Sequence, residues 1–572
     1  MVYTRRPDPL HYPAGSARSL HLALSADGRH YEALYNNYGI LFAEGKINED
    51  NTIHPLGLAR PRVFRSTAGE YVIAAEVTEE DGSKAAEGYP RKAFWKTTDW
   101  MHFDPCANAS CDDDLCVGVA QDPIQKGEER EDLIPVSVPS TVCVKDAAES
   151  VVLPIDEACA VKLPLFWDPI ESVRASVPPQ LQADELDTIK AKVIYTDGSI
   201  DLKPVSWDPD TLQRIREMQR TGRKGESISL KGQVVQRHYP FPVAVGYGDP
   251  VIFPWEGRWY YISTNDNRND VGFYVREADL PEKLFEKDTE AHLILGYNEE
   301  KGWVQTFWAP EFHVIGGELY ILFAISGKQW GPNCHMMRLK KGGSILDPDS
   351  WEEPVPVLLK DGHYLAWKEK TISLDMTYFE AQERSYLAWS YRENIGTPLD
   401  SGSMLYLAET DPKEPWKLIS DPVLLSRPLY GWENVSGTIN NEGPNAFIYG
   451  GKVYLAYSGG AADSYTYAVG LLTIDCDDPD ILDVTHWKKS QTSVLNFTSV
   501  PGEYGPGHNS FFVDQDGHLM VAYHAENTYE SHIRSDGIRR VHFNAFGDPV
   551  FTMSEERDLT PECREVETTV IW

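Results

Sequence analysis

The chain has 572 residues, too many for one compact core, so two to four domains are expected. Its 53 Lys and Arg against 87 Asp and Glu leave a net charge of −34, a surface that repels phosphate backbones and anionic membranes and excludes both nucleic acid and membrane as partners. No apolar run approaches the roughly 20 residues of a membrane span. Met1-Val-Tyr-Thr-Arg-Arg-Pro also lacks the apolar stretch of a signal peptide, so a cytoplasmic protein is expected.

In chain order, residues 1–133 read as an N-terminal blade-like β region. Their clearest feature is Ala59-Arg60-Pro61-Arg62-Val-Phe followed by Glu-Tyr-Val-Ile-Ala-Ala, two β-like runs joined by a short polar turn. Cys106, Cys111 and Cys116 are spaced C-x4-C-x4-C, which is not a zinc knuckle, so a loop with free thiols is expected. Residues 134–235 read as a separate β insert. Lys190-Ala-Lys-Val-Ile-Tyr-Thr-Asp-Gly-Ser alternates into an Asp-Gly hairpin turn, and Leu202-Lys-Pro-Val-Ser-Trp follows. This pattern resembles the small bacterial immunoglobulin-like β-sandwich. Residues 211–222 are one of the few helix-like stretches.

From residue 236 to 572 one pattern recurs five times: a turn, an acidic residue or His, then two β-like runs joined by a polar hairpin. The copies lead with Gly248-Asp249-Pro250, Pro310-Glu311-Phe, Leu374-Asp375-Met376, Asn441-Glu442-Gly443-Pro444 and Gly507-His508-Asn509. From 249 to 311, 375, 442 and 508 the intervals are 62, 64, 67 and 66. Such a period suits the four-stranded blades of a five-bladed β-propeller, in which equivalent inner-strand positions converge on one axis. Four carboxylates and a His at one axis are costly for stability and make sense as a site. The run at Arg60 is a degenerate sixth copy with Arg in the acid's place. Sequence leaves open whether it adds a blade or packs outside the ring.

Over roughly 238–560 these motifs resemble glycoside hydrolase family 43, whose members carry an Asp-Pro, a Trp-Ala-Pro-acid, a second Asp, a Glu followed by Pro, and a Gly-His in successive blades. Here they stand as Asp249-Pro250, Trp308-Ala-Pro-Glu311, Asp375, Glu442-Gly443-Pro444 and Tyr504-Gly-Pro-Gly-His508-Asn509-Ser510. The resemblance implies an inverting glycosidase, with Asp249 as base, Glu442 as acid and Asp375 holding the acid's proton. Glu433 and Glu503 are the rival acids. His508 is implied at the axis, next to a Ca²⁺ in one reading. Trp308, Glu311, Trp389, Arg392, Trp432 and Asn509 are the candidate substrate contacts, Trp432 the first choice for stacking on a sugar. No cofactor is otherwise implied, and the partner is an oligosaccharide. Exo-acting α-L-arabinofuranosidase is the leading activity. β-Xylosidase and β-galactofuranosidase use the same scaffold, a retaining β-fructosidase ranks low, and a non-catalytic carbohydrate-binding propeller is the reading from another class.

Overall fold

The computed structural model describes residues 1–66, 68–106, 134–139, 144–221, 225–328, 331–368, 370–435 and 438–572. Cys111 and Cys116 lie outside these residues.

Five four-stranded antiparallel sheets form the ring, and their inner strands touch pairwise until the fifth meets the first. The inner strands of blades I to V are Gly248–Trp255, Gln305–Ile315, Thr371–Ala381, Asn441–Tyr449 and Tyr504–Val513. Blade V takes its outermost strand, Ala244–Val245, from ahead of blade I, which closes the ring.

Each blade is covered on both faces by its neighbours, so its strands read as near-continuous apolar runs such as Leu319-Tyr-Ile-Leu-Phe323. Five cores fill the gaps. Between blades II and III, for example, Leu322, Met336, Met376, Leu387 and Trp389 are almost fully enclosed. Truncating one such Leu costs about 2–5 kcal/mol.

One irregularity is shared by all five inner strands. Register with the second strand slips by one residue between Gly248 and Val251, Trp308 and Glu311, Leu374 and Thr377, Glu442 and Asn445, and Gly507 and Ser510. The first bulged residue has a left-handed backbone in every blade: Asp249 (φ 57°), Ala309 (46°), Asp375 (53°), Gly443 (57°) and His508 (44°). This conformation costs a non-glycine residue about 1–3 kcal/mol and clusters at functional sites.

The N-terminal region packs outside the ring as two five-stranded sheets around a core that includes Leu58, Val63, Ile73, Trp95 and Trp167. It keeps the mark of a blade: the strand Leu56–Arg65 slips register between Ala59 and Arg62, and Arg60 has φ 47°. The boundary expected at 133/134 does not hold. Ile134–Pro135 pairs with Leu56–Arg65, and Ala147–Val152 pairs with Val2–Arg5, because these alternating strands complete the N-terminal sheets. The helix Glu157–Trp167, capped by Asp156, then buries Leu163 and Trp167 in the same core.

The insert expected as an immunoglobulin-like sandwich is one six-stranded mixed sheet. The strand Ile200–Trp207 pairs along its first half with Lys190–Tyr195 and at its end with Ser227–Val234, so the sheet folds over on itself. Its core holds Val193, Tyr195, Trp207 and Leu230, plus Ile215 from the helix Pro209–Arg220. The sequence reading missed a strand: Glu565–Ile571 lies antiparallel to Ser227–Val234 over seven residue pairs. A buried ion cluster fastens this module to the ring. Asp558 binds Lys203 (2.9 Å) and Arg540 (2.6 Å) and accepts from the Tyr195 hydroxyl (2.6 Å). Removing one partner of such a buried cluster costs about 3–5 kcal/mol.

Candidate active site

A bulge takes its own amide out of the ladder, and the neighbouring blade satisfies it. The Ala309 amide donates to Thr264 Oγ1 (2.9 Å), the His508 amide to Ser458 Oγ (2.7 Å) and the Asp249 amide to His524 Nδ1 (3.2 Å). The Gly443 amide donates to Asp375 Oδ2 (3.2 Å), which also accepts from Ser390 Oγ (3.0 Å). Thr264, Ser390, Ser458 and His524 all sit at one place in the repeat, opposite the residue before the bulge. The signal was in the sequence, because four of the five second runs end in a hydroxyl or imidazole there.

Asp249, Asp375 and His508 share the bulge position, as the repeat predicts. In blades II and IV that position belongs to Ala309 and Gly443. Glu442 stands one residue before it and Glu311 two residues after it. Glu311 is bonded to His313 (2.7 Å), whose ring lies 6.0 Å from that of Tyr378 in blade III. Its expected alignment with the acids is therefore corrected.

Asp249 is buried and its carboxylate holds three partners. Oδ1 meets Arg534 Nη1 (2.9 Å) and His508 Nδ1 (3.1 Å), and Oδ2 accepts from Thr264 Oγ1 (2.5 Å). Burial alone would raise its pKa, but Arg534 and then His508 outweigh it and hold Asp249 well below the ordinary range. Arg534 is itself fixed by Asp266 through Nε (3.0 Å) and Nη2 (2.5 Å). A Cβ on Gly248 would lie 2.3 Å from its guanidinium carbon, so glycine precedes Asp249 to admit the arginine.

His524 accepts from the Asp249 amide and meets the Ala462 carbonyl through Nε2 (3.1 Å), which assigns the proton to Nε2. Burial lowers its pKa, in keeping with a neutral ring.

Glu442 has the opposite environment. Burial, then the nearby Asp375, push its pKa up to about 7. Its Oε1 accepts from the Tyr467 hydroxyl (2.9 Å). Burial also raises Asp375, and the Asp249 charge adds to it. For His508 burial lowers the pKa, but Asp249, Asp375 and Glu442 reverse this and the net shift is upward. A Cβ on Gly443 would lie 3.0 Å from the His508 ring.

The rival acids are elsewhere. Glu433 is enclosed with Lys489 (2.6 Å) and Tyr457 (2.8 Å), and Glu503 is paired with Arg539.

Trp432 is fully buried against Tyr457, with Nε1 donating to the Gln491 carbonyl (3.3 Å), so no sugar can stack on it. Trp389 is equally enclosed, against Tyr406. Arg392 makes a two-pronged pair with Asp400 (2.8 Å each) and leaves the acids alone. Asn509 is buried, and its amide has no partner among the described residues. Trp308 stays half-buried, its Nε1 donating to Asp270 (3.0 Å) on the connection that also carries Asp266. Arg534, Tyr467 and His524 were not anticipated. Arg534 occupies a connection that no other copy of the repeat matches.

Three His, Cys, Asp or Glu side chains close enough to share an ion occur, among the described residues, at Asp514, Asp516 and His518, and not around His508. There Arg237 already binds Asp516 (2.8 Å) and Asp201 binds His518 (3.2 Å).

The five-bladed β-propeller thus brings together, at its inner strands, one carboxyl with a depressed pKa and another with a raised one. Residues 360–549 match the glycosyl hydrolases family 43 profile. The chain is 28% identical over 333 residues to an extracellular exo-α-(1→5)-L-arabinofuranosidase of Streptomyces avermitilis, covering 56% of this chain and 64% of that one. It is 31% identical over 283 residues to α-L-arabinofuranosidase B of Pyricularia oryzae, covering 48% and 54%. It thus spans between half and two thirds of the length of these curated relatives. A solved α-L-arabinofuranosidase from Lactobacillus brevis is 29% identical with a TM-score of 0.48, covering 55% of this chain and 96% of that one. Over residues 360–549 the chain is thus similar to glycosyl hydrolases family 43.

Proposed function

We propose that the protein is an inverting glycoside hydrolase that releases terminal α-L-arabinofuranosyl residues from oligosaccharides. The observation that carries this reading is the opposed tuning of Asp249 and Glu442 at one axis. Inversion needs one carboxylate to take a proton from water and one carboxylic acid to protonate the leaving oxygen. Asp249, charged across the neutral range, is the base, and the Arg534 guanidinium fixes its orientation. Glu442 is the acid. Tyr467 donates to Oε1, so the acidic proton belongs on Oε2, where the leaving oxygen collects it. Asp375 keeps that proton on Glu442, because ionisation would set two buried negative charges side by side.

The arabinose specificity rests on the names of the relatives. His508 turns Nδ1 to Asp249, and among the described residues no group of three side-chain ligands gathers around it, so no step is routed through an ion. No helix among the described residues is long and apolar enough to cross a membrane. Free thiols at Cys159, Cys334, Cys476 and Cys563 support the cytoplasmic reading, against the word extracellular in the names of two relatives. Fractionation of the source cells tests that point.

The deciding experiment screens nitrophenyl arabinofuranoside, xyloside and galactofuranoside, then follows the preferred substrate by proton NMR in the first minutes. The first anomer to appear is expected to be inverted, and Asp249→Asn is expected to be inactive even with a good leaving group. A retained anomer, or a sugar trapped on Asp249, overturns the mechanism.

A further inference from the structure

The N-terminal module touches the connections that feed the inner strands of blades IV and V, near whose starts Glu442 and His508 lie. Gly45 donates to the Leu429 carbonyl (2.7 Å), Arg427 holds Asn51 (2.7 and 2.9 Å), and Asn36 donates to the Thr498 carbonyl (2.9 Å).

The first loop of this module is pinned and then presented. Tyr12 is buried, its hydroxyl bonded to His21 (2.8 Å) and its ring covered by the Arg5 guanidinium (3.7 Å) and edged by Phe497 (5.8 Å). Asp8 and Tyr12 exchange backbone hydrogen bonds (2.8 Å each), which leaves Asp8, Leu10 and His11 exposed at the tip. His11 sets its ring edge-on to Tyr529 (5.0 Å), and Tyr529 meets Tyr504 (4.1 Å) and Tyr465 (5.0 Å). All three tyrosines stay half-buried. The Asp8 carboxylate is near enough to Tyr465 and Tyr529 for its charge to act on both phenols.

This patch adjoins the acid. Tyr465 is two residues from Tyr467, which bonds Glu442, and Tyr504 is four residues from His508. The acid delivers its proton to the leaving oxygen, so the saccharide beyond the cleaved bond lies on the acid's side of the funnel. Half-exposed aromatic rings pack on the C–H faces of sugars, and a carboxylate accepts from sugar hydroxyls.

We propose that Asp8, Leu10 and His11 of the N-terminal module, together with Tyr465, Tyr504 and Tyr529 of the ring, form the platform that holds the leaving saccharide. The inference rests on the glycosidase reading above. A module outside the ring then decides how well a chain, as opposed to a single glycoside, is cleaved.

The test compares kcat/KM for linear α-1,5-arabinotriose, which fills the platform, with kcat/KM for methyl α-L-arabinofuranoside, which does not. In His11→Ala and Tyr529→Ala the ratio of the two is expected to fall about tenfold, through KM for the trisaccharide. Tyr529→Phe, which keeps the ring, is expected to hold the ratio within about twofold. Melting temperature checks each variant, and the exposed His11 carries the test if Tyr529→Ala does not fold. An unchanged ratio in a folded His11→Ala and Tyr529→Ala overturns the platform. Wild-type inactivity on both arabinosides overturns the arabinose assignment instead, and the same ratio is then measured on the matching pair of xylosides or galactofuranosides that the screen selects.

Discussion

Glu442→Gln is expected to stabilise the fold while removing the acid, and pH separates the two effects. The Glu442 carboxyl is held at about 7 against an ordinary 4.5. Below pH 4.5 it is protonated in both folded and unfolded chains and contributes no difference. Between 4.5 and 7 the unfolded chain releases the proton and the folded chain does not, so rising pH lowers stability by about 1.4 kcal/mol per unit. Over this window of roughly 2.5 units the loss reaches about 3 kcal/mol, an upper figure because the carboxyl keeps some contact with water. Glutamine does not titrate. The melting temperature of Glu442→Gln relative to wild type is therefore expected to rise from pH 4.5 to pH 7 and to level off above it. Activity on natural glycosides is expected to collapse, with more retained on substrates whose acidic phenol leaves without a proton. A stability difference that does not change with pH would refute the argument, because it would mean that Glu442 titrates normally in the folded protein.

Arg534→Gln removes the charge that outweighs burial at Asp249, so the acidic limb of the pH–rate profile is expected to move upward and kcat/KM to fall about a hundredfold; an unmoved limb would separate Arg534 from the base. Gly443→Ala places a Cβ 3.0 Å from the His508 ring on a left-handed backbone, so kcat is expected to drop at least tenfold with folding retained by circular dichroism. Trp207→Ala empties the core of the small module, at a cost of about 3–5 kcal/mol, and the kcat of the folded fraction is expected to stay within twofold of wild type.

Much of the ring was legible because each blade repeats the same two runs around a polar hairpin, and each run is apolar on both faces. What misled was aligning the copies by charge. A bulge sets the register through the backbone, and Ala309 and Gly443 carry no chemistry to mark it, so Glu311 and Glu442 were given a position that neither occupies. The clamps Thr264, Ser390, Ser458 and His524 were present as a second periodicity, but a single hydroxyl per run is a faint signal. Trp432 reads as an exposed loop aromatic from its local sequence. It is enclosed because that loop lies under the N-terminal module, where Gly15 and Gly431 bring their backbones together across more than 400 residues of chain. The strand Glu565–Ile571 was missed for the same reason, since its partner Ser227–Val234 lies before the whole ring.

That last pairing inverts the apparent hierarchy of the domains. Read along the chain, the small module interrupts a run of blades. Read by topology, the entire ring is a loop between two adjacent strands of the small sheet, leaving after Val234 and returning at Glu565 in antiparallel register. The two ends of the ring are thus tied outside it, which is why a closing strand of only two residues, Ala244–Val245, suffices to shut it. The propeller is a cassette: a hairpin of roughly two to five residues joining Gln233 to Glu565 would excise it and leave the host sheet with its strand order intact.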